Sequence, residues 1–593
     1  MSRYAILPKL PVPALSDSLD RFLTAMKPLI TQSQFSRLLE ITNSFSKREG
    51  PFFQDRLIKF AEETDNWALC VWVDIRFLSN RSSLLFTNGK PAIKTPYNLS
   101  IPSEMLLITS QYLCQLARVL ETIRDEELPQ EMIGDIPQSM SQYRRLLGAY
   151  RIPHLRRDSH VFSPYSKHII VMYAGRIFKM PIYSDTDIDR YMSVEEIHHL
   201  LSQVLSYGND ETQSHTPVCL LTALDRDSWY TAREQLIQDS SVNRNSLREI
   251  ETSLFGLCID EFTDEHTFNE SKLHRFGDIR DDFKCYNRWF GLGLQILFTA
   301  SGYMSLIYDH ALIDGAVPYL LNIIPDTEYK LDTSKVINTN LNVELIKWEL
   351  STKSLLHLEE TKQKMNKWYS DYDVCFLDFE SFGKDLIKKH GLYYQGFIQL
   401  AIQLAYYKLY KQLTASYQTV SLASFREGRL EHPITVSEDM KIFVQSMTSH
   451  GYTDRERWKL MLRAIHRYKL LLSDTSRGHV FVKHMQALKY LAERENISVE
   501  LFENSCFKLF IEPNLAISSI FTSFPFRGSF SLLNGHFIIL LLHTDLIRLS
   551  VTSTLSQTSV NSSQLCREIE VSLLELMNIM VTQSYNGLED SKL

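Results

Sequence analysis

One histidine of this chain lies in an apolar segment between two acids. His310, in the stretch SLIYDHALIDGAVPYLL, follows Asp309 and precedes Asp314 and Gly315. A satisfied core histidine is the common explanation in apolar surroundings. The His-x-x-x-Asp-Gly spacing favours a second one, a group that exchanges a proton, because an imidazole titrates near neutral pH. The segments around His310 are needed to choose between the two.

Two lysines form a second candidate site. Lys384 and Lys388, in FGKDLIKK, are four residues apart and share one face if the segment is helical. Such a pair is usually a solvated helix face, and a two-point cationic site for phosphate groups is the alternative.

Composition limits the class of protein. The chain has 593 residues, 44% hydrophobic residues and a net charge of -7. This length predicts two to four domains with a large buried interior. The mild charge predicts a globular protein and gives no reason to expect a nucleic-acid partner.

The cysteines give no sign of a metal site or a disulfide framework. All eight are isolated, with no C-x-x-C and no Cys/His cluster at metal-ligand spacing. We therefore expect no metal, and buried free thiols in a reducing compartment, at Cys70, Cys114, Cys219, Cys258, Cys285, Cys375, Cys506 and Cys566.

The two ends of the chain bear on its location. The N-terminus lacks an apolar core of signal-peptide length, and no window reaches the roughly 18 apolar residues of a membrane-spanning helix. The chain ends in Ser591, Lys592 and Leu593, the tripeptide read by the peroxisomal import receptor. We expect a soluble intracellular protein, peroxisomal if this tripeptide is read and cytoplasmic if the match is accidental.

Hydrophobic patterns predict an α/β rhythm. SDSLDRFLTAMKPLI has helical spacing, and helices dominate the first 150 residues. HIIVMYAGRIFKMPIY predicts a hairpin that turns at Ala174 and Gly175. PVCLLTALDRDSWYTAREQL predicts a short apolar strand, a polar turn and a helix.

The second half of the chain continues this pattern. The segment before His310 predicts a strand, a turn at Ser301 and Gly302, a second strand over 303–308 and a loop that carries the histidine. Charged helical residues follow near 343–370, and then a helix with a buried face formed by Phe397, Leu400, Ala401, Leu404 and Ala405.

Several collinear motifs resemble the choline/carnitine acyltransferase family. LPKLPVPALSDSL is similar to its N-terminal signature, and NRWF…YDHALIDG resembles its second signature, whose histidine is catalytic. LTALDRDSWYTAR, FGKDLIKK, FIQLAIQLAYYKLY and SYQTVSLASFREGR follow in family order. The resemblance implies an α/β protein of two domains, each similar to the coenzyme-A-dependent, chloramphenicol-acetyltransferase-like fold. We place these domains at 1–350 and 351–593, with the active site in a tunnel between them.

The resemblance assigns a catalytic group. His310 becomes the general base that deprotonates either the alcohol or the thiol, so no serine or cysteine nucleophile is needed. Asp314 stands where the family more usually has Glu and would support His310 or form a structural ion pair. Ser523, in FTSF, matches the family's STSQ turn and would stabilise the oxyanion. Phe521 and Phe524 replace a serine and a glutamine of that turn.

The resemblance also assigns two binding sites. Lys384 and Lys388 would hold the phosphates of coenzyme A, the co-substrate, although Gln395 replaces an acidic contact. Tyr417 and Thr419 would line the acceptor pocket. Leu430 replaces a threonine that contacts the carnitine carboxylate, and Lys483 replaces the arginine, which keeps the charge but loses the bidentate fork.

We therefore expect an acyltransferase that moves acyl groups between coenzyme A and carnitine, in peroxisomes, where chain-shortened fatty acyl groups are exported as esters. The protein is expected to be a monomer. Two alternatives stay open. One is transfer to another hydroxyl, such as that of a secondary metabolite, and the other is a non-catalytic acyl-CoA-binding protein.

Overall fold

A computed structural model describes residues 4–95, 102–183, 191–208, 216–261, 272, 275–277, 279, 281–300, 302–314, 329–332, 340–520, 526–528 and 535–590. The chain forms two compact units, each with helices around a mixed sheet, which confirms the predicted α/β class. The first unit comprises Met1–Ala5, Val73–Asp371 and Phe524–Phe530, and the second Ile6–Trp72, Tyr372–Ser523 and Ser531–Leu593.

This division differs from the boundary expected near residue 350. Residues 6–72 belong to the second unit, with the C-terminal part of the chain. Phe22, on the helix Leu15–Met26, is fully buried there, and its ring lies 4.8 Å from Phe510 and 5.8 Å from Phe507. Burying a phenylalanine side chain stabilises the fold by about 1.5–3 kcal/mol. Local patterns do not reveal a partner so distant in the sequence.

The first unit contains an eight-stranded sheet. Its strands are β1 (Pro91–Lys94), β6 (His168–Tyr173), β7 (Arg176–Pro181), β8 (Gly256–Asp260), β9 (Leu294–Thr299), β10 (Tyr303–Tyr308), β11 (Glu344–Leu345) and β17 (Phe526–Gly528), in the order β11-β7-β6-β8-β9-β10-β1-β17. The β6–β8 and β8–β9 pairs are parallel. Two ribbons accompany the sheet: β2 (Met132–Ile133) with β3 (Ile136–Pro137), and β4 (Ala149–Ile152) with β5 (Ser159–Phe162).

Two predictions for the first unit are confirmed. The strands β6 and β7 form the hairpin, and Ala174 and Gly175 both have positive φ, as a type I′ hairpin turn requires. A Cβ on Gly175 would lie 1.9 Å from the carbonyl oxygen of Lys284, so this turn requires glycine. The strands β9 and β10 pair before the loop of His310, and Ser301 lies outside the described residues.

Two other predictions were wrong in detail. Val218–Ala223 is a 3-10 helix and not a strand. Thr222 Oγ1 donates to the Cys219 carbonyl at 2.7 Å, a local hydrogen bond that favours a turn over a strand. The helix expected from 343 begins only at Thr352, because β11 pairs with β7 first. The longer helices of this unit are Pro102–Arg124, Val194–Gly208, Arg226–Asp239, Ser241–Glu251 and Thr352–Asp371.

The second unit contains a five-stranded sheet. Its strands are β12 (Tyr372–Phe379), β13 (Ser416–Gln418), β16 (Leu515–Ile520), β18 (His536–Leu542) and β19 (Ile547–Thr554), in the order β12-β19-β18-β16-β13. The β13–β16 and β16–β18 pairs are parallel. The strands β14 (Val420–Ser421) and β15 (Leu430–Glu431) pair to form a two-stranded antiparallel ribbon.

Helices enclose this second sheet. The predicted buried helix is confirmed as Tyr394–Tyr410, and the five apolar residues assigned to its buried face are inaccessible to solvent. The other long helices are Gln32–Lys47, Glu49–Glu63, Glu438–Thr448, Asp454–Ser476, Phe481–Arg494 and Ser562–Asp590. Among the residues that the structure describes, none of the helices has the length and apolar character needed to cross a bilayer.

The cysteines are all free thiols, and their burial matches the expectation only in part. Cys114, Cys219, Cys258, Cys506 and Cys566 are buried. Cys375 is half-buried, whereas Cys70 and Cys285 are exposed.

Candidate active site

The strand β10 delivers His310 to a short loop in the first unit. The imidazole Nδ1 lies 3.0 Å from Asp314 Oδ1 and 2.9 Å from the carbonyl oxygen of Ile313. The side chain of His310 is 19% exposed, and that of Asp314 is 5% exposed. His310 is thus neither an ordinary core residue nor a fully solvated one.

These contacts determine which ring nitrogen carries the proton. A carboxylate and a carbonyl oxygen can only accept a hydrogen bond, so Nδ1 must donate. In the neutral imidazole Nε2 then carries the lone pair, and it is the atom that can act as a base. Asp314 therefore orients the ring and selects its tautomer. A catalytic role for either residue stays a prediction.

The acid that precedes His310 lies in a buried ionic network. Asp309 is 1% exposed, and its carboxylate lies 2.8 Å from His160 Nε2 and 3.5 Å from Arg151 Nη1. Burial alone would raise the pKa of Asp309, but Arg151 and His160 outweigh this effect and hold the pKa well below its ordinary range. Asp309 also accepts the backbone N–H of Ala311 at 2.9 Å, which shapes the loop.

Arg151 extends this network to a second acid, Asp158, and to Phe77, whose ring lies beside the imidazole of His310. Its Nε donates to Asp158 Oδ2 at 2.8 Å, and its Nη2 donates to the carbonyl of Phe77. The Phe77 ring lies 5.4 Å from the His310 ring. Asp158 also pairs with Arg226 at 2.6 Å. This network was not predicted from the sequence, because its members are scattered single charges without a periodic pattern.

The predicted coenzyme A lysines lie in the second unit, on the helix Lys384–Lys389. Lys384 is half-buried, Lys388 is exposed, and the Lys388 Nζ lies 5.2 Å from the centre of the Tyr394 ring. A Cβ on Gly383 would lie 2.5 Å from the Thr544 carbonyl oxygen, so the approach of the chain to the β18–β19 turn requires glycine. Because Lys384 and Lys388 both lie on this helix, their predicted helical spacing is confirmed. Their binding of coenzyme A stays a prediction.

Two predicted acceptor residues also lie in the second unit. Tyr417 is on β13, opposite Ala516 of β16, and Thr419 follows this strand. The Thr419 Oγ1 lies 3.3 Å from Ser518 Oγ, and Gln418 Nε2 donates to Ser519 Oγ at 3.1 Å. Ser518 thus places a hydroxyl beside Thr419, and Ser519 places one beside Gln418. Neither serine was predicted from the sequence.

Lys483 is more enclosed than its predicted role suggested. The residue is 5% exposed, and its Nζ lies 4.0 Å from the centre of the Trp72 ring. The Arg429 guanidinium lies 4.8 Å from the same ring. The His432 ring lies 5.7 Å from Trp72 and 4.9 Å from Tyr417. The structure therefore connects Lys483 to Tyr417 through the rings of Trp72 and His432. Neither of these two residues was predicted from the sequence.

Several predicted residues lie outside the described part of the chain. They are Gly315, Phe521, Ser523, Phe524 and the C-terminal Ser591, Lys592 and Leu593. Within the ranges that the structure describes, no group of three or more His, Cys, Asp or Glu side chains could hold a metal ion.

Comparison with known proteins identifies the family. The choline/carnitine O-acyltransferase family model matches residues 10–571. The chain is 26% identical to carnitine O-acetyltransferase of Rattus norvegicus, covering 97% of this chain and 93% of the relative. It is 30% identical to carnitine O-acetyltransferase of Columba livia, over 87% of this chain and 83% of the relative.

Choline enzymes and a more distant structure are also similar. Choline O-acetyltransferase of Mus musculus is 27% identical over 82% of this chain and 78% of the relative. A solved trichothecene 15-O-acetyltransferase from Fusarium sporotrichioides has a TM-score of 0.40 and 10% identity, over 86% of this chain and 93% of that one. The family match spans nearly the whole chain, including the His310 loop, and the chain therefore belongs to the choline/carnitine O-acyltransferase family, which transfers acyl groups from coenzyme A to hydroxyl acceptors.

Proposed function

We propose that this acyltransferase exchanges acyl groups between coenzyme A and carnitine, with His310 as the general base. The observation that carries the proposal is the hydrogen bonding of Nδ1 to Asp314 and Ile313, which makes Nε2 the basic nitrogen. Nε2 takes the proton of the carnitine hydroxyl while the oxygen attacks the thioester carbonyl. The tetrahedral intermediate then expels the coenzyme A thiolate, which takes the proton back from His310.

Residues of the second unit would hold the two substrates. Lys384 and Lys388 would bind coenzyme A phosphates, while Tyr417, Thr419 and Lys483 would bind the acceptor. Ser523 would donate to the oxyanion of the intermediate. The resemblance supports these roles, and a shared tunnel that contains them all stays a prediction.

Thiol release from acyl-CoA tests the proposal. Wild type would be assayed with carnitine, choline and no acceptor, at matched concentrations. We expect release that depends on carnitine and is lost in His310→Ala. The absence of carnitine-dependent release at millimolar carnitine would exclude carnitine as the acceptor.

A second candidate acceptor is a less polar alcohol. Lys483 is almost fully buried over Trp72, and Leu430 stands where carnitine enzymes of this family have a threonine. Both features reduce the polar contacts available to a carboxylate. Release with an apolar alcohol at a rate above that with carnitine would favour this alternative. Binding of acyl-CoA without turnover for any acceptor would favour a non-catalytic protein.

We also propose delivery to peroxisomes by the C-terminal Ser591, Lys592 and Leu593. A fluorescent protein fused to the N-terminus should give punctate peroxisomal fluorescence. Deletion of the tripeptide should make it diffuse, and unchanged puncta would contradict this targeting.

A further inference from the structure

Gln142 contacts the end of the loop that carries His310. It lies on the short helix Ser141–Arg144 of the first unit, and its side chain is buried. The Gln142 Oε1 accepts a hydrogen bond from the backbone N–H of Asp314 at 2.5 Å. Because a backbone N–H can only donate, the oxygen of the Gln142 amide, and not its nitrogen, faces the loop.

The start of the same loop is held by other contacts. The backbone N–H of Asp309 donates to the Gly293 carbonyl at 3.0 Å, and the Asp309 carboxylate accepts the N–H of Ala311 at 2.9 Å. The N–H of Leu312 donates to the Asp309 carbonyl at 3.0 Å. These hydrogen bonds define the path of the loop as far as Leu312.

The groups that orient the imidazole come after this part of the loop. They are the Ile313 carbonyl and the Asp314 carboxylate, at 2.9 Å and 3.0 Å from His310 Nδ1. The Ile313 carbonyl and the Asp314 N–H belong to one planar trans peptide group, in which the C=O and the N–H point in opposite directions. The hydrogen bond from this N–H to Gln142 therefore also sets the direction of the carbonyl that faces Nδ1.

The element that carries Gln142 is itself anchored. Tyr143, the next residue, is buried, and its hydroxyl donates to the Glu131 carboxylate. The chain continues from this helix into β4, where Arg151 Nη1 lies 3.5 Å from the Asp309 carboxylate. One continuous segment thus contacts both acids that flank His310, through Gln142 at Asp314 and through Arg151 at Asp309.

We propose that Gln142 is a positioning residue for His310. By accepting the N–H of Asp314, it holds the Ile313–Asp314 peptide group so that the carbonyl and the carboxylate both stay within hydrogen-bond distance of Nδ1. The ring then keeps one tautomer and one orientation, with Nε2 free of a proton. This inference rests on the proposed function, in which Nε2 is the base, and Gln142 acts through the loop and not on a substrate.

Steady-state kinetics of Gln142→Leu test the proposal, since leucine has a similar volume and cannot accept a hydrogen bond. With the acceptor that wild type uses best, kcat should fall about tenfold, because a small displacement of a catalytic group slows the reaction. The KM for acyl-CoA and for the acceptor should change by less than about twofold. Gln142→Glu keeps an acceptor oxygen and should restore kcat to within about threefold of wild type.

Gln138→Leu is the matched control. Gln138 is also buried, and its Nε2 donates to the Ile136 carbonyl at 2.9 Å, so this variant loses one hydrogen bond in the neighbouring ribbon. Its kcat should equal that of wild type. If Gln142→Leu does not fold, Gln142→Met replaces it with the same expected loss, because methionine adapts to irregular space. A kcat within about twofold of wild type, or no rescue in Gln142→Glu, would overturn the proposal.

A double variant tests whether Gln142 acts through the loop. In an Asp314→Ala background, Gln142→Leu should lower kcat by less than about threefold, because one of the two groups that it positions is already gone. A further fall of about tenfold in that background would contradict the proposed route through Asp314.

Amide hydrogen exchange separates this inference from the proposed function, because it needs neither acceptor nor turnover. Read by mass spectrometry at the Asp314 N–H, exchange should be about tenfold faster in Gln142→Leu than in wild type or Gln138→Leu, and slow again in Gln142→Glu. A fully active His310→Ala would overturn the proposed function, and the exchange result would still decide whether Gln142 holds the loop. Exchange at Asp314 that is unchanged in Gln142→Leu would overturn the inference, whatever the activity of His310→Ala.

Discussion

Each unit contains a buried carboxylate close to a predicted functional residue, Asp309 beside His310 and Glu431 beside Lys483. Their burial is nearly equal, but their pKa values move in opposite directions, down for Asp309 and up for Glu431. Burial therefore does not decide the charge of either acid.

The difference lies in the partners. Asp309 receives a hydrogen bond from His160 and the field of Arg151, in addition to a backbone N–H. Glu431 accepts backbone N–H groups of Lys483, His432 and Val482, and the Lys483 ammonium lies over the Trp72 ring. The field of Arg151 and direct hydrogen bonds lower the pKa of Asp309, whereas the attraction of Lys483 does not offset the desolvation of Glu431. The first cluster holds an ionised acid beside the proposed base His310, and the second holds an acid whose pKa is raised.

Removal of the base should have the largest effect. His310→Ala should lower kcat by about 1,000-fold, within the range that general-base catalysis contributes. Binding of acyl-CoA, measured by calorimetry, should not change. His466→Ala, on the exposed face of the helix Asp454–Ser476, is the matched control and should be fully active. A His310→Ala enzyme with more than a tenth of wild-type kcat would contradict a catalytic role for His310.

Breaking the ionic scaffold should cost stability. Arg151→Met leaves Asp309 and Asp158 each without one buried cation, and we expect a loss of about 3 kcal/mol in the free energy of unfolding. Lys483→Met should cost less, about 1 kcal/mol, because it also removes the desolvation cost of a buried charge. Denaturant unfolding of both variants tests the order. A larger loss of unfolding free energy in Lys483→Met than in Arg151→Met would contradict the expected order.

The oxyanion donor can be located by comparing two serines. Ser523→Ala should lower kcat by about 100-fold, the lower limit for loss of one oxyanion donor. Ser518→Ala, which removes the hydroxyl beside Thr419, should lower kcat by less than about threefold. The opposite result would move the oxyanion role to Ser518. Steady-state kinetics at saturating acyl-CoA distinguish the two.

The smallest expected effect is a difference in how the contributions of Asp309 and Glu431 to the stability of the fold depend on pH. The lowered pKa of Asp309 stabilises the fold above its unfolded pKa of about 3.9, and this stability is lost as the pH falls. The raised pKa of Glu431 stabilises the fold below its unfolded pKa of about 4.3, and this stability is lost as the pH rises through the raised value.

Thermal unfolding from pH 4 to 8 tests these signs. Relative to Asp309→Asn, wild type should keep a constant advantage above about pH 5 and lose part of it near pH 4. Relative to Glu431→Gln, wild type should lose about 1 kcal/mol between pH 4 and 8. Slopes of the same sign for both pairs would contradict the assigned pKa directions.

Much of the local structure was predictable. The hairpin at Ala174 and Gly175, the loop position of His310 and the buried face around Phe397 follow from short-range periodicity and turn chemistry. The apolar run at Val218–Ala223 was not, because such a run suits a buried strand or a buried helical turn equally.

The sequence by itself determined the family, the candidate base and the one-turn spacing of Lys384 and Lys388, since these depend on local order along the chain. Only the tertiary structure decided that Phe22 packs against Phe510, that Arg151 compensates Asp309, and that Lys483 lies on Trp72 beside Glu431. Those contacts join residues far apart in the chain. The charge state of a buried group depends on such neighbours and not on the residues that flank it in sequence.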